Sequence, residues 1–253
     1  MYKGFDLRLG KDFSIWLNKG LSLYEKDNNH VKKILSEFEY TDGKIDGNKL
    51  QANWFPIFQA DVFISHSHND KDDAIALAGW LKDKFNITSF IDSCIWGHAN
   101  ELLRIIDKKY CFNEDRNMYD YNKRNHSTSH VYMMLTTALS QMIDETECLF
   151  FLNTPSSIVP SENIEKTESP WIYSEIAMTR VIRTTKSINE QRKLQTKFLS
   201  EGGPVSIDYT IDLSHLIKLN KRILDNWAVQ KYSNSNNALD ALYKLTSESI
   251  YKL

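Results

Sequence analysis

Two rhythms of apolar residues run through the chain. Phe13, Ile15, Trp16, Leu21 and Leu23, then Val31, Ile34, Leu35 and Phe38, recur at roughly helical spacing. The first stretch of about 40 residues is therefore expected to be helical. Two Asp-Gly steps, Asp42-Gly43 and Asp46-Gly47, signal turns, and a boundary is expected between them and Pro56. From Asp61 the texture changes. Val62-Phe63-Ile64 is a short apolar run without alternation, as in a strand buried on both faces. It ends in the polar loop Ser65 to Asp70, rich in helix-capping residues. Ile75, Ala78, Leu81 and Phe85 mark one side of the helix that follows, and Ile87 to Ile91 reads as a second strand closed by Asp92.

Leu102 to Ile106 begins a short helix. Residues 112–130 are polar and aperiodic, and read as an insertion or a long loop. Val131 to Ile143 carries an apolar helical stripe of Met134, Leu135, Ala138, Met142 and Ile143, and Cys148 to Leu152 is a third buried strand. Pro170 opens a helix running to about Arg183; it suits the first turn, where its missing N–H would have no partner. Val205 to Ile211 reads as a further strand, and residues 216–229 and 238–245 as helices. Alternating strands and helices predict an α/β fold with an open, mostly parallel, flavodoxin-like sheet. The expected division is a helical N-terminal region and linker (1–55), the α/β domain (56–215, with the insertion at about 112–130), and C-terminal helices packing on it (216–253).

Composition narrows the classes. The formal net charge of -2 argues against a strongly basic nucleic-acid binder or a membrane-surface protein. No apolar run approaches the ~20 residues that span a bilayer, and the first residues hold no apolar signal core. The 3 cysteines, Cys94, Cys111 and Cys148, have no C-x-x-C spacing, which fits a reducing compartment and buried thiols. A cytoplasmic protein is expected.

In an open α/β sheet, ligands bind beyond the carboxyl ends of the strands. Here those ends are Ser65-His66, Asp92 and Asn153, all polar, although polar residues end most strands. Trp171 and Glu175 lie four apart on the expected helix, so they share a face near its N-terminus. A carboxylate beside an apolar face is costly without a partner or a task, yet a Trp on a core and a Glu on its rim also give this pattern. His66, His68 and His98 with Cys94 have zinc-compatible atoms, but no zinc-finger spacing and no H-E-x-x-H; no metal site is expected. There is no G-x-G-x-x-G, P-loop or G-x-S-x-G motif.

Three segments together resemble one family. Residues Asp61 to Asp70 look like the first strand and loop of a TIR (Toll/interleukin-1 receptor) domain. Ser89 to Asp92 looks like its second strand, with Ser93 to Asn100 as the loop beyond. Trp171 to Glu175 is similar to the helix that carries the catalytic glutamate in NAD-consuming TIR domains. The resemblance covers roughly residues 58–215 and is nearest to prokaryotic TIR proteins, including anti-phage (Thoeris-like) enzymes, and to the animal axon-degeneration NADase. It departs where the animal enzyme has arginines and this chain has His66 and Ser67.

The resemblance implies a TIR fold and an NAD+ nucleosidase or cyclase that cleaves the nicotinamide–ribose bond. The product would be ADP-ribose, a cyclic ADP-ribose isomer or a conjugate, made as a signal in antiviral innate immunity. NAD+ is then substrate, with no cofactor. Glu175 is implied as the catalytic carboxylate, Trp171 as its neighbour beside the nicotinamide, Asp92 and Ser65 as hydrogen-bonding groups for ribose or phosphate, and His66 as a donor to the pyrophosphate. Implied partners are other copies of the chain, through TIR contacts, and a separate effector that receives the product; nucleic acid and membrane are not among them. Three alternatives stand beside this reading: a non-catalytic TIR–TIR scaffold, a nucleoside deoxyribosyltransferase-like enzyme working by covalent attack, and a plain α/β interaction domain.

Overall fold

The computed structural model describes residues 3–8, 12–24, 35–91, 93–161, 164–182 and 209–250; the side chains of 94–98, 159–164 and 248–250 lie outside the description. In chain order the elements are β1 (Lys3–Arg8), α1 (Leu17–Tyr24), α2 (Gly47–Trp54), β2 (Val62–Ser65), α3 (Lys71–Phe85), β3 (Ser89–Ile91), α4 (Ser93–Ile106), β4 (Phe112–Asn113), β5 (Met118–Tyr119), α5 (Tyr121–Glu145) and β6 (Cys148–Asn153). They continue with β7 (Val159–Ser161), β8 (Ile164–Thr167), α6 (Pro170–Val181), β9 (Tyr209–Thr210), β10 (Ile217–Leu219), α7 (Lys221–Val229) and α8 (Ser235–Ile250). The protein is α/β. Its central sheet has five strands in the order β10-β1-β6-β2-β3, and every pairing is parallel. This is compatible with a flavodoxin-like fold.

Strand alternation divides the sheet into two faces. Phe5, Leu7, Val62, Ile64, Ile91, Phe150, Leu152 and Leu219 share one core with buried residues of α3, α7 and α8. Phe63, Phe90, Leu149 and Phe151 share the other with α2, α4, α5 and α6. Helices thus cover both faces, which is why β2 and β6 read as unbroken apolar runs. α1 and α3 meet glycine on glycine. A Cβ at Gly79 would lie 2.3 Å from the carbonyl oxygen of Trp16, and one at Gly20 would lie 2.0 Å from that of Ile75. No side chain fits between these backbones.

Several sequence expectations need correction. Ser93 to Asn100, expected as a loop, forms the first turns of α4, which therefore starts well before Leu102. Lys3–Arg8 is a strand, and it sits inside the sheet between β6 and β10. The phase of Gly4-Phe5-Asp6-Leu7-Arg8 is period two, with Phe5 and Leu7 on one face. The expected divisions near residues 55 and 215 therefore run through one sheet, which takes strands from both sides of each. Residues 112–130 are not a long loop: a short antiparallel hairpin, β4–β5, leads straight into α5. The Asp120 carboxylate caps α5 by accepting from Lys123 N at 3.0 Å, so the helix starts ten residues before the expected Val131. Finally, Ile217–Leu219 is a strand, not helix, and only Tyr209–Thr210 of the expected strand at 205–211 is seen as one, in a small antiparallel sheet with β7 and β8; residues 205–208 lie outside the described residues. Among the described residues no helix is long and apolar enough to cross a membrane.

The α1–α3 contact yields a stability test. Gly79→Ala forces a methyl against backbone that cannot rotate away, and should cost roughly 1–3 kcal/mol. Urea unfolding followed by circular dichroism measures this; an unchanged midpoint would show that the two helices are not held at this distance.

Candidate functional site

The connection from β2 runs out to β3, and the chain then returns to β6 on the other side of β2. The loops after β2 and β6 diverge there, opening the crevice where ligands sit in such sheets. Three polar clusters gather around it.

The first joins β2 to α6. Ser169 caps α6 by accepting from Ile172 N at 3.3 Å, and Pro170 takes the first turn. The buried stripe of α6 is Ile172, Glu175, Ile176 and Thr179, the i, i+3, i+4, i+7 pattern of a core-facing helix. Glu175 occupies a position where an apolar side chain is expected, and it is only 1% exposed. Ser65, at the end of β2 and also buried, donates its hydroxyl proton to Glu175 Oε2 at 2.7 Å. The bond spans two layers of the fold and sits at the mouth of the crevice. The bond fixes the orientation of the carboxyl group.

The second cluster ties the two diverging loops together. Thr154, just past β6, donates from Oγ1 to Asp70 Oδ2 at 2.5 Å. Ser157 Oγ donates to the carbonyl of Leu152 at 2.8 Å and accepts from Thr154 N, also at 2.8 Å. All three side chains are buried.

The third comes from β1. Register aligns Asp6 with Phe151, and Phe151 with Ser65, so Asp6 and Ser65 flank Phe151 across three strands. Asp6 is buried, accepts from Asn153 Nδ2 at 2.9 Å, and lies 3.8 Å from Arg8 Nε. Arg8 also reaches Glu165 on β8 at 3.3 Å.

The structure thus brings together Glu175 and Ser65. His66 is adjacent and buried, with Nδ1 3.4 Å from the Ile64 carbonyl oxygen. Trp171 sits half-buried one turn before Glu175, its ring against that of Tyr132 with centroids 5.5 Å apart. Asp92 lies outside the described residues. Cys111 and Cys148 are buried free thiols, and among the described residues no group of three or more His, Cys, Asp and Glu side chains is placed to hold a metal ion. Sequence reasoning missed Asp6, Arg8, Asp70 and Thr154. Asp6 and Arg8 had a usable signal, the period-two alternation around Phe5 and Leu7; Asp70 and Thr154 had none beyond lying in polar loops.

A further missed residue, His215, braces α6 one turn beyond Glu175. The Thr179 hydroxyl donates to the Ile176 carbonyl at 2.7 Å, which leaves its oxygen to accept from His215 Nε2, also at 2.7 Å. Arg180 Nε donates to His215 Nδ1 at 3.2 Å. These bonds select the neutral Nε2–H tautomer. Comparison with protein-family models, curated proteins and solved structures finds no match to this chain.

Burial, and then the Arg180 charge, hold the His215 pKa below its usual value. The unfolded chain takes up this proton more readily, so the stabilisation is complete above about pH 6.5 and fades as pH falls below it. The expected outcome is a melting temperature that drops between about pH 7.5 and about pH 5.5, with a smaller drop in His215→Gln. Calorimetry at the two pH values checks this; equal drops in both proteins would remove His215 from the account.

Proposed function

We propose that this chain is an NAD+-cleaving enzyme of the TIR type, with Glu175 as its catalytic carboxylate. The observation that carries the reading is a buried carboxylate oriented by Ser65 at the switch point of a parallel sheet. The family resemblance of residues 61–70, 89–92 and 171–175 supplies the substrate class.

The chemistry suits such a group. Cleaving the nicotinamide–ribose bond sends the bonding electron pair to the cationic ring nitrogen, so nicotinamide departs neutral and needs no acid. Positive charge builds on the ribose, as in glycoside cleavage. A fixed carboxylate away from bulk water stabilises that charge without reorganising. Ser65 is a positioning residue in this scheme, since its proton is engaged with Glu175. Water as acceptor gives ADP-ribose and a proton; an internal nucleophile gives a cyclic isomer; a second base gives a conjugate. Self-association and a role in anti-phage signalling through a separate effector belong to the same reading.

A second reading is favoured by the burial of Glu175. A carboxylate at 1% exposure that bonds a buried serine also serves as a structural pin, as a non-catalytic scaffold would use it. Incubation of the purified chain with NAD+, with products separated by chromatography and mass, decides between them. Wild type is expected to release nicotinamide, and Glu175→Gln, which keeps an acceptor for Ser65, to lose at least about 10²-fold in turnover at an unchanged melting temperature. Equal turnover in both proteins would remove Glu175 from the chemistry. An inert wild type whose stability falls in Glu175→Gln would favour the scaffold.

A further inference from the structure

The π-helical turn Asp107–Cys111 joins α4 to the β4–β5 hairpin. Such turns are uncommon and recur at functional sites. Here the turn has two local effects. It buries Asp107 beneath α5, where Ser127 Oγ donates to Oδ1 at 2.6 Å and Arg124 Nε donates to Oδ2 at 2.9 Å. It also starts a hairpin whose base is closed by Asp120 N donating to the Cys111 carbonyl at 2.7 Å, and this hairpin presents the ring of Tyr119 beside Arg124. The scheme around Glu175 uses neither.

These parts enclose a cleft of about 430 Å³ between α4, α5 and the hairpin, within the span of roughly 300–1,000 Å³ usual for small-molecule sites. Two guanidiniums line it, Arg104 from α4 and Arg124 from α5, against the single carboxylate of Asp107. Arg124 meets that carboxylate through Nε alone, which leaves its two terminal nitrogens available. The pairing also orients the guanidinium in advance, so a ligand need not order it. Arg104 is exposed and forms no salt bridge among the described residues. Tyr119 and Tyr132 supply two partly exposed rings, and Thr128 adds a neutral hydroxyl.

Paired guanidiniums recognise phosphate by geometry as well as charge, and flat phenol rings suit a planar heterocycle. We propose that this cleft binds a nucleotide: a phosphate held between Arg104 and Arg124, with the base against Tyr119 or Tyr132. The cleft is separate from the Ser65–Glu175 pair but is linked to it. Tyr132 packs edge-on against Trp171, one turn before Glu175, so occupancy is reported at Trp171.

The test is isothermal titration of the full chain with the four nucleoside 5′-monophosphates, with free nucleosides and inorganic phosphate alongside. None of these carries a nicotinamide bond, so the result does not depend on whether the chain consumes NAD+. Saturable binding of at least one monophosphate is expected. It should weaken tenfold or more in Arg104→Gln and in Tyr119→Ala at unchanged melting temperature, and persist in Glu175→Gln. Tryptophan emission should change on binding in wild type and not in Trp171→Phe. No binding by any monophosphate to the folded chain, binding indifferent to both cleft substitutions, or inorganic phosphate binding as tightly as the monophosphates would each overturn the proposal.

Discussion

A strand buried on both faces has no water to satisfy its backbone, so its N–H and C=O groups must find partners along both edges. β6, whose residues Cys148–Leu152 are all fully buried, is under that constraint most severely. β2 satisfies one edge. The other is taken by β1, which pairs along the whole of β6, from Lys3 with Cys148 to Arg8 with Asn153. The rest of the architecture follows: β10 finds an edge on β1, and α7 and α8 pack on the face that Phe5 and Leu7 extend. The same pairing carries Asp6, Phe151 and Ser65 into one row, which sets the polar groups at the crevice.

Within that frame, the candidate site is defined by a conflict. Local pattern asks for an apolar residue at position 175, between Ile172, Ile176 and Thr179, and the chain places a carboxylate there. Deviations of this kind are tolerated where a specific partner compensates, and they concentrate at functional sites. Ser65 is that partner. The Thr154–Asp70 bond makes a comparable join between the loops after β2 and β6, so side-chain bonds help to hold the mouth of the crevice.

Much of this was legible in the sequence, for identifiable reasons. β2 and β6 are short apolar runs between polar loops, and α6 announces itself with Ser169, Pro170 and a helical stripe. Glu175 stood out as a charge on that stripe. β1 carries the alternation of a strand, with Phe5 and Leu7 on one face, but over one short stretch, and the longer helical period starting at Phe13 drew the whole region into a helix. The first turns of α5 were hidden for another reason. Tyr121 to His126 are exposed all round, so no apolar stripe marks them, and the capping carboxylate of Asp120 is the only local cue. Long-range pairs such as Ser65 with Glu175, or Thr179 with His215, have no spacing rule; only the packing of α6 on the sheet brings them together.

The placement of β1 also bears on how the molecule acquires its shape. Both neighbours of β1 lie far along the chain, since Phe5 pairs with Phe150 on one side and Ile217 on the other. Contacts between such distant residues require large loops to close before any bond forms in return, which slows folding. The β2–β3 unit is built from nearer contacts, whereas the sheet is complete only when β1 lies between β6 and β10, both far along the chain. Assembly of the crevice thereby depends on pairings between distant parts of the chain, and a chain without them would lack the row that runs from Asp6 to Ser65.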